Sequence, residues 1–261
     1  MQKYNFIRKF AAFVVALVAV VGSTTAAPTE QAQEQWSRAN TLYTAGDYNG
    51  AVATYDSIVN EGLVSTRLYY NLANAYFKSG KLGEAILYYN KAAKLSPNDD
   101  DVAYNLAYAQ SFIKDKIESV PTSGVARVVG GVGNLMGADA WGVVSLVLLG
   151  LALVCGALYM LLVRRSARKA SFVCAVVFAA LTLVAVAYGA AERGDLLAAD
   201  EAVVLSSAAA VKSSPERSSK DLFILHEGTK VEVLDEFGSW REIRIADGNK
   251  GWIQSSAIEV I

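Results

Sequence analysis

Residues 141–163 read WGVVSLVLLGLALVCGALYMLLV and residues 170–190 read ASFVCAVVFAALTLVAVAYGA, with RRSARK at 164–169 between them. Neither apolar run holds a charge across its 23 and 21 residues. At about 1.5 Å of rise per residue, each is long enough for the ~30 Å hydrocarbon layer of a bilayer. Lipid offers backbone groups no partner, so a run of this kind must pair them internally as a helix. The sequence therefore predicts a two-helix transmembrane hairpin, with spans over 141–163 and 170–190. The competing reading, two buried helices of a soluble core, calls for shorter and amphipathic segments. Arg164, Arg165, Arg168 and Lys169 crowd the connection. The positive-inside bias then makes 164–169 a cytoplasmic loop and places both flanking arms on the opposite, exported face.

Composition limits what the arms can be. The chain has 261 residues, 53% of them hydrophobic, and a formal net charge of −1. No basic footprint for nucleic acid exists. Cys155 and Cys174 both fall inside the apolar runs, which rules out a disulfide framework in the arms and leaves two small packing residues. At the N-terminus, Lys3, Arg8 and Lys9 precede the apolar stretch Phe10–Val21 and the small residues GSTTAA. This pattern predicts an export signal over 1–27, cleaved between Thr24 and Ala27; an uncleaved anchor is the alternative.

The first arm, 28–120, carries an internal repeat. Ala39, Asn40, Gly46, Ala51 and Tyr55 recur 34 residues later as Ala73, Asn74, Gly80, Ala85 and Tyr89. Tyr104-Asn105-Leu106-Ala107 repeats Tyr70-Asn71-Leu72-Ala73 at the same offset, after the acidic cap Asp99-Asp100-Asp101. The period predicts two helical hairpins and a capping helix running to about Glu118, stacked as a short superhelix. Gly80 is expected to supply the left-handed residue that ends a helix, and Pro97 to stop the next one. The arm is acidic, with 11 Asp and Glu against 8 Lys and Arg over 28–120. Residues 121–140 are glycine-rich and read as either a linker or an interfacial helix.

In the second arm, 191–261, the hydrophobic pattern changes to period two. Short β-type runs are separated by turn residues at Ser213-Ser214-Pro215, Glu227-Gly228, Phe237-Gly238-Ser239 and Asp247-Gly248. Five or six short strands are expected to form a small all-β barrel. His226, the single histidine, lies in the HEGT turn and is read as a turn residue with a polar partner. No catalytic motif, metal cluster or cofactor loop is present, so no catalytic residue, metal ligand or cofactor is expected.

Several segments resemble known families. LYYNLANAYFKSGKLGEAILYYNKA (68–92) resembles the tetratricopeptide repeat (TPR) family. The resemblance implies a concave groove lined from the first helices by Trp36, Asn40 and Tyr43, by Tyr70, Asn74, Phe77 and Lys78, and by Tyr104, Tyr108 and Phe112. These side chains are either contacts for a partner peptide or packing residues of the array. The two-carboxylate clamp of chaperone-binding members needs basic residues where Trp36, Asp101 and Asn105 stand, so a C-terminal carboxylate ligand is not expected. LHEGTKVEVLDEFGSW (225–240) with Gly251-Trp252-Ile253 resembles the bacterial SH3-like domain, with Trp240 and Trp252 as its aromatic surface. Too few aromatics are present for a polyproline site. The domain order is similar to that of BatE-type aerotolerance-operon membrane proteins. That resemblance implies a non-enzymatic scaffold or adaptor working with von Willebrand A-type Bat membrane proteins in stress and oxygen tolerance. The alternative is a cell-wall sensor whose SH3-like domain binds peptidoglycan.

Overall fold

The structure is a computed structural model that describes residues 30–118, 124–133, 135–198 and 200–261. The export signal expected over 1–27 lies outside the described residues. Two compact units are formed, one within residues 28–132 and 196–261, the other within 133–195.

The first unit begins with five helices: α1 (Glu30–Thr44), α2 (Tyr48–Asn60), α3 (Thr66–Lys78), α4 (Leu82–Leu95) and α5 (Asp100–Gln110). The repeat period is visible in their ends. Gly46 and Gly80, 34 residues apart, take φ of 83° and 81°, a conformation that costs an L side chain but not glycine. The next amide closes the same turn in each copy, Asp47 N–H to Leu42 O at 2.9 Å and Lys81 N–H to Tyr76 O at 3.0 Å. Caps fix the starts. Asp47 accepts from the Gly50 amide, Ser65 from Leu68, and Asp99 from Asp101 and Val102. Small residues Ala39, Ala51, Ala73, Ala75 and Ala85 are buried where the helices cross, beside Tyr55, Leu72, Ile86 and Tyr89. Helix α5 is shorter than its sequence suggests. It stops at Gln110, and 111–118 leave the helical path, with Asp115 turned to bonds on a distant segment described below.

Within the glycine-rich stretch, Gly124–Gly133 form a helix, α6. The C-terminal part is an antiparallel all-β domain of seven strands, one or two more than the sequence pattern implies: β1 (Glu201–Val204), β2 (Ala209–Lys212), β3 (Asp221–Leu225), β4 (Lys230–Phe237), β5 (Trp240–Arg244), β6 (Lys250–Gln254) and β7 (Ile258–Val260). Their order is β3-β2-β6-β5-β4-β1-β7. Three turns fall on glycines of the sequence pattern, with positive φ at Gly228, Gly238 and Gly248. β5 and β6 pair with Glu242 opposite Trp252 and Ile243 opposite Gly251. The inward positions Val204, Val211, Leu225, Ile243 and Ile253 make the core. Arg244 and Glu232 form a bidentate pair across β4 and β5.

The second unit contains α7 (Ala138–Leu161) and most of α8 (Arg165–Leu197). Both are long and apolar enough to cross a membrane, and only 11% and 6% of the residues in their apolar windows are buried. The basic residues 165–169 are helical, as the first turns of α8, and the connection is shorter than the 164–169 loop expected. The Trp141 ring stacks on Tyr188 at 5.1 Å, with its Nε1–H donated to Gly133 O at 3.0 Å.

Gly251 is hemmed in by its neighbours in the β domain. A Cβ there would lie 2.5 Å from Val211 Cγ1 and 2.9 Å from Lys212 O. Gly251→Ala is expected to destabilise the β domain by about 1–3 kcal/mol through overpacking, seen as a lower urea midpoint by tryptophan fluorescence. Gly238 differs in kind: an added Cβ would meet no atom within 4 Å, but a φ of 61° penalises substitution through backbone strain.

Candidate functional site: a helical groove and a docked β domain

The repeat's asparagines are committed to the array. Tyr55 O–H donates to Asn40 Oδ1 at 2.6 Å, and one period later Tyr89 O–H donates to Asn74 Oδ1 at 2.5 Å. Burial raises both phenols above the ordinary tyrosine value, which keeps them protonated as donors. Each bond ties the first helix of a hairpin to its second. Asn71 adds to the first lock, donating to Asn40 Oδ1 at 3.4 Å, and its equivalent Asn105 donates to the Tyr70 hydroxyl oxygen at 2.9 Å.

Two surfaces form on the first-helix side. One is a cleft of 680 Å³ lined by Trp36, Asn40, Thr66, Arg67, Tyr70, Asn71, Asp99 and Asp101. It brings together three of the expected groove residues, Trp36, Asn40 and Tyr70. The other is an aromatic cup, where the rings of Phe77, Tyr108 and Phe112 meet pairwise at 5.2–5.7 Å. Tyr104, Tyr108 and Phe112 are 72%, 50% and 55% exposed, an unusual concentration of large aromatics in solvent. Tyr43 packs on Tyr48 at 5.4 Å instead of lining the cleft, and Lys78 stands at the C-terminal end of α3. The charged residues of the cleft, Arg67, Asp99 and Asp101, are not among the groove positions the family resemblance implies. Arg67 and Asp101 are one period apart, three positions ahead of Tyr70 and Tyr104, so the repeat register contains that signal.

On the β domain, Trp240 is only 6% exposed. It belongs to the wall of a 280 Å³ cleft with Ala208, Ala209, Ala210, Ile253, Gln254 and Ser256, and is not a free surface aromatic. Trp252 is half-buried on β6.

The largest departure from a string of separate modules is the junction between the helices and the β domain. Asp115 accepts three bonds from the HEGT turn: His226 N–H at 2.6 Å, His226 Nδ1 at 2.7 Å and Thr229 O–H at 2.8 Å. Lys114 Nζ lies 2.9 Å from His226 Nε2. An ammonium can only donate, so Nε2 accepts and the ring proton sits on Nδ1, facing Asp115. The same ammonium makes Nε2 a poor place for a metal cation. Burial by itself would raise the Asp115 pKa. The bonds from the His226 backbone and side chain and from Thr229 outweigh it and hold the carboxyl below the usual carboxylate range. On α4, Lys94 Nζ donates to Ala198 O at 2.7 Å and Ile261 O at 3.3 Å, and Lys91 pairs with Glu259 at 3.6 Å.

Residues 66–99, from α3 to the cap of α5, match the tetratricopeptide repeat family. Residues 207–259, which run from just before β2 into β7, match the bacterial SH3 domain family. No curated protein matches the chain. Both matched families are binding domains, one for proteins and one for the bacterial cell wall, and both support an adaptor.

The Asp115 shift has a pH consequence. A carboxyl whose folded-state pKa is depressed contributes stability that is complete above its unfolded value, about 4, and lost as pH falls through the folded one. Urea midpoints of the helix–β unit are expected to fall as pH is lowered from about 5 to about 3. Asp115→Asn, which turns one acceptor into a donor facing donors, should cost about 1–3 kcal/mol at neutral pH and flatten that acid limb.

Proposed function

We propose that this chain is a non-enzymatic adaptor of the bacterial inner membrane. In this reading α7 and α8 are the two spans, an export signal precedes residue 28, and the helical array and the β domain face the periplasm. The array holds a segment of a partner protein in the 680 Å³ cleft and at the aromatic cup. The observation that carries the reading is the exposure of Tyr104, Tyr108 and Phe112 on an array that also forms a cleft of mixed charge. Rigid aromatics of this kind supply contact area at low entropic cost, and polar side chains beside them fix register. The domain order supports membership in the BatE-type aerotolerance group, with von Willebrand A-type Bat membrane proteins as partners in stress and oxygen tolerance.

The match of 207–259 to the bacterial SH3 domain, together with the cleft beside Trp240, favours a second reading in which the β domain engages peptidoglycan. Both readings are compatible with one adaptor.

The two separate cleanly by experiment. Asn40 and Asn74 carry the bonds to Tyr55 and Tyr89, so the groove is best probed at its exposed rings. Tyr104→Ser with Tyr108→Ser is expected to abolish photo-crosslinking of a co-expressed Bat-type partner to the array while membrane insertion is unchanged; crosslinking at the wild-type level would overturn the groove reading. Retention of the detergent-solubilised full chain on purified sacculi tests the second reading, and a chain that elutes with the void fraction removes it.

A further inference from the structure

We propose that the β domain serves as the C-terminal cap of the helical array, so that the two fold and open as one body. Two hairpins and a single helix are a short array. Solenoid units bury their faces only against neighbours, and the last one needs something to cover it. Here α5 covers only part of α4. Elsewhere on α4, Gly83, Ile86, Lys91 and Lys94 each meet the β domain or the residues just ahead of it. A Cβ on Gly83 would come within 3.2 Å of Val204 O and 3.3 Å of Leu205 Cα. Gly228, held at φ 86° in the HEGT turn, is seated over Ile86 and Ile113, whose atoms would lie 2.7 Å and 3.1 Å from an added Cβ. Lys91 and Lys94 reach Glu259 and the carbonyls of Ala198 and Ile261.

Each side also lends side chains to the other's core. Val203 of β1 is buried within the helical cluster that holds Leu72, Ile86 and Tyr89, with Leu205 and Ile261 packed against it. Ile117, in the segment after α5, packs against the β cluster. Apolar surface buried in this way is lost to both sides if they separate. The polar junction at Asp115 adds direction, since it fixes the backbone of the HEGT turn itself. The cap does not depend on what the groove or the Trp240 cleft binds. Its consequence for ligands is that the HEGT turn and β7 are occupied from within, leaving the Trp240 side of the sheet as the accessible face.

Segment-resolved amide hydrogen exchange on the full-length protein in nanodiscs tests the cap. With increasing urea, protection of 66–95 and of 240–254 should vanish at one midpoint in the wild type; two well-separated midpoints would overturn the proposal. Asp115→Ala and Gly228→Val leave every cleft and cup residue intact. Each should speed exchange in 66–95 by about ten-fold or more, the scale of an unsatisfied buried polar group or an overpacked contact. Wild-type protection of 66–95 in a variant whose 226–229 amides have become unprotected would also overturn it. A variant too unstable to yield a folded chain leaves the decision to the wild-type midpoints.

Discussion

The soluble structure is built around one helix that has to be covered on several sides at once. Helix α4 packs its Ala85–Tyr89 side on α3, receives α5 from the array, and presents Gly83 and Ile86 to the β domain. An isolated helix of 14 residues is marginal in water, so its stability must come from what packs on it. Removing any one neighbour leaves apolar surface on α4 with nothing to cover it. That constraint explains why a second hairpin can be the last complete one, and why the chain after α5 leaves its helical path to reach the HEGT turn.

Much of the local architecture is legible in the residues. The 34-residue offset gives the helices their order, and Gly46 and Gly80 end α1 and α3 because each turn needs a left-handed residue. In the β domain, Glu227-Gly228, Gly238 and Asp247-Gly248 mark the turns, and Gly-Trp-Ile pairs with the Trp240 strand. Contacts that join distant segments leave no such mark. Asp115 and His226 are 111 residues apart, and nothing in either local pattern announces the other. The same holds for Gly83, which looks like an ordinary helix residue until a strand backbone is found against it. Trp240 reads as a surface ring because aromatic residues in such domains often contact ligands; its place on β5 turns it inward instead. The asparagines of the groove positions are legible as equivalent, while the bonds they accept from Tyr55 and Tyr89, repeated one period apart, are not.

These facts bear on how the functional surfaces work. The cleft at Trp36, Arg67 and Tyr70 is built on helices locked by repeated asparagine–tyrosine bonds, so its shape is largely set before any partner arrives. Preorganisation of this kind lowers the ordering cost of binding. The aromatic cup draws Phe77 from α3, Tyr108 from α5 and Phe112 from the segment that also carries Lys114 and Asp115. The β domain's hold on that segment therefore also steadies one wall of the cup. In the proposed function the two apolar helices act as an anchor.

The helical array and the β domain are joined through His226, and the chain has one histidine with which to ask the question. Nitrogen NMR of the full-length protein labelled only at histidine reports which ring nitrogen carries the proton. The expected result is a single Nδ1–H tautomer with Nε2 accepting, the less favoured form of a free imidazole, converting to free-histidine behaviour in Asp115→Ala. A wild-type signal already like that of free histidine, with the proton mainly on Nε2, would contradict it.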